Sequence, residues 1–168
     1  MAYHDHFRLA DDVINHLNTF VSGIPDPFLS SRYIGFVSVS AVTVYELAIK
    51  EILCSFADNK HKVLGNFALS YFDRINGRIK LSIIQDDYIK RFGKKYVERF
   101  KLKLEDAEKR SIRTSGRSIK SSYNNLVEWR NQFAHEGQMP STVTYAEVTQ
   151  AFEDGKQVIE CLFKTMNR

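Results

Sequence analysis

Leu126-Val127-Glu128-Trp129-Arg130-Asn131-Gln132-Phe133-Ala134-His135-Glu136-Gly137 is the stretch from which the rest of the chain is read. Leu126, Trp129, Phe133 and Ala134 recur at helical spacing, which predicts one apolar stripe facing a core. Gly137 suits a left-handed helix end, and Pro140 follows it. The pattern predicts a helix from about Ser118 to His135. Off the stripe stand Arg130, Asn131 and His135. Asn131 and His135 are four apart and share a face. Arg130 precedes His135 by five residues, about 7.5 Å along the axis. That is too far for contact but suits two groups gripping one phosphodiester, the guanidinium clamping phosphate oxygens and the imidazole moving a proton. The same residue types also fit a capped helix end, with Arg130 in solvent and His135 near the last carbonyls.

The chain of 168 residues is long enough for one domain with a sizeable core. Its 43% hydrophobic and 26% charged residues are ordinary for a globular protein, and 12 Phe with 8 Tyr argue against disorder. No apolar run is long enough to span a membrane. The start, Met1-Ala2-Tyr3-His4-Asp5-His6, lacks a signal-peptide layout, so a cytoplasmic protein is expected. Cys54 and Cys161 lie in apolar contexts and read as small buried hydrophobes. There is no C-x-x-C or H-E-x-x-H, so neither a metal nor a cofactor is expected. His4 and His6 read as a mobile tail.

In chain order, Phe7–Ile24 reads as a first helix with Phe7, Ala10, Ile14, Leu17 and Val21 inward. Pro25-Asp26-Pro27 ends it, and Ser30-Ser31 is the expected cap of the next. Residues 32–58 carry β-branched runs, yet Val37, Ser40, Ala41, Val44, Leu47, Ala48 and Ile52 track one helical face, and a long helix is predicted. Within it Glu46 and Lys50 are four apart, in the favourable order for a surface pair. They also fit a supporting role, with Lys50 adding charge beside a phosphate and Glu46 orienting Lys50 or Arg130. Ala57–Lys60 reads as a turn, and Lys62–Ile79 as a third helix with Val63, Phe67, Leu69, Phe72 and Ile75 in its core. Leu81–Ile84 reads as a connection and Asp86-Asp87 as a helix start. Ser111–Ser118 reads as a mobile loop. Thr144 and Glu147 form a capping box for a last helix to about Met166. The expected architecture is an all-α, single-domain bundle of about five to six helices over residues 1–168.

Residues 90–120 hold twelve lysines and arginines against four acidic residues, a net +8, whereas the whole chain carries +4. Tyr88, Phe92, Tyr96 and Phe100 lie on the inner stripe of this segment. Such a basic stretch suits the phosphate backbone of a nucleic acid, with Lys94, Lys95, Arg110, Arg113 and Arg117 as candidate RNA contacts. A charge run of this kind is also commonly a solvated helix face.

Arg-Asn-x-x-x-His near a helix end, in a small all-helical chain, resembles the signature of HEPN proteins, and the surrounding sequence is most similar to the RiboL-PSP group. Glu46-Leu47-Ala48-Ile49-Lys50 matches an E-x3-K pattern that some HEPN nucleases carry upstream. The resemblance implies a metal-independent endoribonuclease with Arg130, His135 and Asn131 in the active site and Glu46 and Lys50 in support. It also implies a homodimer whose two motifs face one shared cleft, often in a toxin–antitoxin or phage-defence system with a cognate antitoxin or defence partner. One departure stands out. HEPN toxins partnered by a nucleotidyltransferase often continue to His-x-Tyr, but here Gly137 follows Glu136, which argues against control by tyrosine modification. A function of another class, a non-catalytic helical module that dimerises or binds RNA or a partner, stays open.

Overall fold

The computed structural model describes residues 2–24 and 26–167; of Ser22 only the backbone is described. Seven α-helices and no strand are found among these residues: α1 (Phe7–Asn18), α2 (Pro27–Lys60), α3 (Lys62–Phe72), α4 (Leu81–Ile83), α5 (Lys94–Ser115), α6 (Ile119–Glu136) and α7 (Tyr145–Met166). The all-α expectation holds, with slightly more helices than expected.

The 34-residue α2 is the spine, packed against α1, α3, α6 and α7. Of its predicted face Val37, Ala41, Val44, Ala48 and Ile52 are buried, and Ser40 and Leu47 are half-buried. Burial on this face overrides the strand propensity of its β-branched residues. Its cap is Asp26, whose Oδ1 accepts from Phe28 N at 2.9 Å with Pro27 at the first position, so Ser30 and Ser31 lie inside the helix. Pro25, part of the expected break, lies outside the described residues. Tyr45 of α2 stacks on Tyr123 of α6 and Phe152 of α7, and its hydroxyl donates to Phe152 O at 2.5 Å. Three helices thus meet at one aromatic layer.

Several predicted boundaries move. The first helix stops at Asn18, and a 3-10 turn, Val21–Gly23, follows. α2 continues through Ala57–Lys60 and breaks only at His61, whose Nδ1 accepts from Val63 N. α3 ends at Phe72 rather than Ile79, because Asn76 and Gly77 both take positive φ and leave the helix. Of its expected core Phe72 and Ile75 are buried, but Val63, Phe67 and Leu69 are exposed, and Gly65 and Ala68 are buried in their place. Asp86 and Asp87 sit in a π turn, Ile84–Tyr88, and α5 starts at Lys94 after Gly93. α5 also runs on to Ser115, so the expected loop shrinks to three residues. Ser111 is buried there and donates to Arg117 O at 2.8 Å, an ordered turn rather than a mobile loop. The N-terminal segment is docked too: Tyr3 is buried with its hydroxyl on Glu160, and His6 Nε2 lies 2.7 Å from Glu51. The α7 capping box forms as expected, Thr144 and Glu147 bonding each other reciprocally. Cys54 and Cys161 are free thiols that burial pushes toward the protonated form. No helix among the described residues is long and apolar enough to cross a membrane.

Candidate functional site

Helix α6 carries the quoted stretch and is fixed at both ends. Ser118 Oγ accepts from Ser121 N at 3.0 Å, and Gly137 closes the helix at φ 68°. Leu126 is fully buried and Trp129 and Phe133 partly so, whereas Ala134 is exposed, outside the predicted stripe. The last turn is held against α2 in two ways. Phe133 lies flat on Gly35, where a Cβ would overlap the ring, and Arg32 Nη1 donates to Gly137 O at 2.6 Å.

This docking brings Arg130 beside Glu46, 84 residues earlier in the chain. Arg130 Nη2 donates to Glu46 Oε1 at 3.4 Å, and its side chain is 22% exposed against 16% for Glu46. Arg130 Nη1 donates to Asn131 Oδ1 at 3.1 Å, so Asn131 holds the arginine rather than His135. Arg130 Nε is buried with no partner. A buried N–H without an acceptor is a cost that the fold carries here. Burial pushes the Glu46 carboxyl above its ordinary range, while Arg130, the Gly77 N–H and Lys50 pull it back.

A turn that sequence reasoning placed in a helix completes the cluster. Arg78 N donates to Ile75 O at 2.8 Å across Asn76 and Gly77. Gly77 adopts φ 79°, donates its N–H to Glu46, and presses its bare Cα on the guanidinium, so that a methyl there would overlap Arg130 Nη1. The turn is itself anchored: Tyr88 donates to Arg78 O and Tyr123 to Ile79 O, both at 2.7 Å, and Lys50 Nζ donates to Asp73 O at 2.6 Å. Glu46 and Lys50 therefore do not close on each other as a surface pair. One meets Arg130, and the other holds the end of α3. Asn-Gly is a turn dipeptide, and it was the available signal for this element.

His135 stands on the last turn of α6, exposed, with no hydrogen bond among the described residues. The five candidate RNA contacts spread along α5 and the turn after it, and none touches Arg130, Asn131 or His135. Lys94 pairs loosely with Glu98 at 3.6 Å, while Lys95, Arg110 and Arg113 are exposed. Arg117 instead turns back onto the fully buried Asp154 of α7, Nε to Oδ2 at 3.2 Å.

The family model of RiboL-PSP-HEPN matches residues 5–168. The chain belongs to this HEPN family. No curated protein and no solved structure matches it. HEPN domains are often ribonucleases and commonly bind RNA and dimerise, and this HEPN chain places a half-buried arginine and an exposed histidine on one helix end. Among its described residues no group of histidine, cysteine and carboxylate side chains has the arrangement of a metal site. What the arrangement offers is an oriented cation, a titratable imidazole one to two turns further on, and an amide between them.

Proposed function

We propose that this single HEPN unit is a metal-independent endoribonuclease that acts within a toxin–antitoxin or anti-phage defence system. The observation that carries the reading is Arg130, fixed by Glu46, Asn131 and Gly77 with Nε unpaired, on the same helix end as the exposed His135. A neutral His135 takes the proton from the substrate's 2′-hydroxyl. The 2′-oxygen attacks the adjacent phosphorus, the bond to the 5′-oxygen breaks, and an imidazolium returns a proton to that leaving oxygen. The product is a 2′,3′-cyclic phosphate and a free 5′-hydroxyl, and DNA, which lacks the nucleophile, is not cut. Arg130 stabilises the charge that develops on the phosphoryl oxygens.

One chain supplies one histidine here, and the reaction uses a base and an acid, so the reading includes a homodimer with the site at its interface. Phe28, Leu29 and Phe36, exposed on the part of α2 that carries Arg32 and Gly35 beside the end of α6, support that surface. The test is cleavage of bulk RNA in EDTA. The wild type should cut, and Arg130→Ala and His135→Ala should each lose at least about 100-fold. Cutting that needs added metal, or that survives in both variants, would remove the mechanism. One observation favours a non-catalytic binding module instead: no side chain among the described residues hydrogen-bonds His135. A His135→Ala protein that keeps its full biological effect would establish that second reading.

A further inference from the structure

α6 and α7 run antiparallel and leave a groove of about 460 Å³ between them. At its floor Asp154 is only 2% exposed, yet it is fully engaged: Arg117 Nε donates to it at 3.2 Å, Ser122 Oγ at 2.9 Å and Gln150 Nε2 at 3.1 Å. Burying a carboxylate is unfavourable unless such donors converge on it. Here they leave three groups set for a ligand. The terminal nitrogens of Arg117, on a side chain 45% exposed, make no hydrogen bond among the described residues. Gln150 keeps its amide oxygen free, and the exposed Asn125 keeps its whole amide. At the other end the partly buried Trp129 lines the groove with the small Ala146 and Ala151 and with Glu147, whose carboxylate is held by the Thr144 cap.

We propose that this groove binds single-stranded RNA, with an unpaired base stacked on Trp129, Asn125 and Gln150 bonding that base's edge, and Arg117 holding a flanking phosphate. Unpaired bases are recognised by aromatic stacking and by amides on their exposed edges, and the guanidinium suits a phosphate. From Ser118 at the start of α6 to Trp129 is eleven residues, roughly 16 Å, enough for a few nucleotides. The next residue is Arg130, about 100° further round the helix and turned toward α2, so a strand leaving the groove reaches the proposed cleavage site by crossing α6. The choice of RNA as substrate class rests on the ribonuclease reading; the groove itself rests on Asp154 and its donors.

Trp129 is the only tryptophan in the chain, so its emission reports on the groove alone. The protein is titrated with a 2′-O-methyl oligoribonucleotide of about eight nucleotides, a usual site size for single-strand binding and one that 2′-hydroxyl chemistry cannot cut. Saturable quenching of Trp129 is expected, and a duplex of the same sequence should not quench. Binding of a labelled oligonucleotide, read by anisotropy, should weaken about tenfold or more in Trp129→Leu and about fivefold in Asn125→Ala. Asn125 is exposed, so its loss cannot be attributed to misfolding. Absence of binding, binding with unchanged emission, equal quenching by the duplex, or full affinity in both variants would each overturn the proposal. Quenching without cleavage in EDTA would sink the ribonuclease reading and leave the groove, while cleavage without quenching would do the reverse.

Discussion

Two arginines of this chain each meet a carboxylate across the fold, and the two pairs are built differently. Asp154 is buried, takes donors from three side chains, and holds Arg117 through Nε. Glu46 is more open, receives one long bond from Arg130 and one from the Gly77 backbone, and leaves Arg130 Nε buried without a partner. The first arrangement spends the carboxylate's capacity on the fold and leaves the terminal nitrogens of Arg117 open. The second engages both terminal nitrogens of its arginine, one of them through a long bond to Glu46 that a phosphate could replace. Either end of that comparison can be broken by substitution.

The largest effect is expected at the closed pair. Arg117→Ala leaves Asp154 buried with neutral donors only, and should cost about 3 kcal/mol of stability. Chemical denaturation measures this, and the double variant Arg117→Ala/Asp154→Asn should recover most of the loss. A single variant as stable as the wild type would show that Asp154 is not held as tightly as its three donors imply.

Gly77 comes next. Gly77→Ala forces an alanine into the left-handed region, at about 1–3 kcal/mol, and drives its methyl into Arg130. Gly116 has a similar φ of 70°, but nothing lies within 4 Å of its Cβ position. Gly116→Ala should therefore lose comparable stability while RNA cleavage is unchanged, whereas Gly77→Ala should also lose about tenfold or more in cleavage. Equal cleavage by the two variants would detach the turn from the site.

The legible and illegible parts of the molecule divide along similar lines. α6 and α7 could be read because their ends are marked locally, by Ser118 and Gly137 and by the Thr144–Glu147 box. The inner face of α2 could be read because most of the apolar residues on it are buried. α3 could not, since periodicity identifies an apolar face but not whether another element covers it, and Val63, Phe67 and Leu69 face solvent. In the candidate site, Arg130 and His135 were visible as a spacing. Glu46 was expected to orient Lys50 or Arg130; that it takes Arg130, 84 residues away, depends on how α6 docks on α2. Asn76-Gly77 carried a turn signal that helical periodicity through Ile75 and Ile79 concealed. The Asp154 network was hidden for a further reason: an acidic residue on an amphipathic helix reads as solvent-facing until its donors, two of them from before and within α6, are in place.

The smallest effect discriminates most directly between an open and a closed pair. Burial holds Glu46 above the ordinary carboxylate range, so the folded state binds its proton more tightly than the unfolded chain does. The associated stability is fully present below the unfolded value, near 4.5, and is lost as pH rises through the raised folded value. Glu46→Gln has no proton to lose there, and its amide oxygen can still accept from Gly77. The variant should therefore gain in melting temperature relative to the wild type between pH 4 and 7, by a few degrees at most. Its cleavage should fall, because Arg130 loses its charged partner. If instead the wild type gains on the variant as pH rises, the attraction of Arg130 outweighs the burial of Glu46. The pair would then be a stabilising ion pair like Asp154 with Arg117, and Arg130 would have less freedom to exchange its carboxylate for a phosphate.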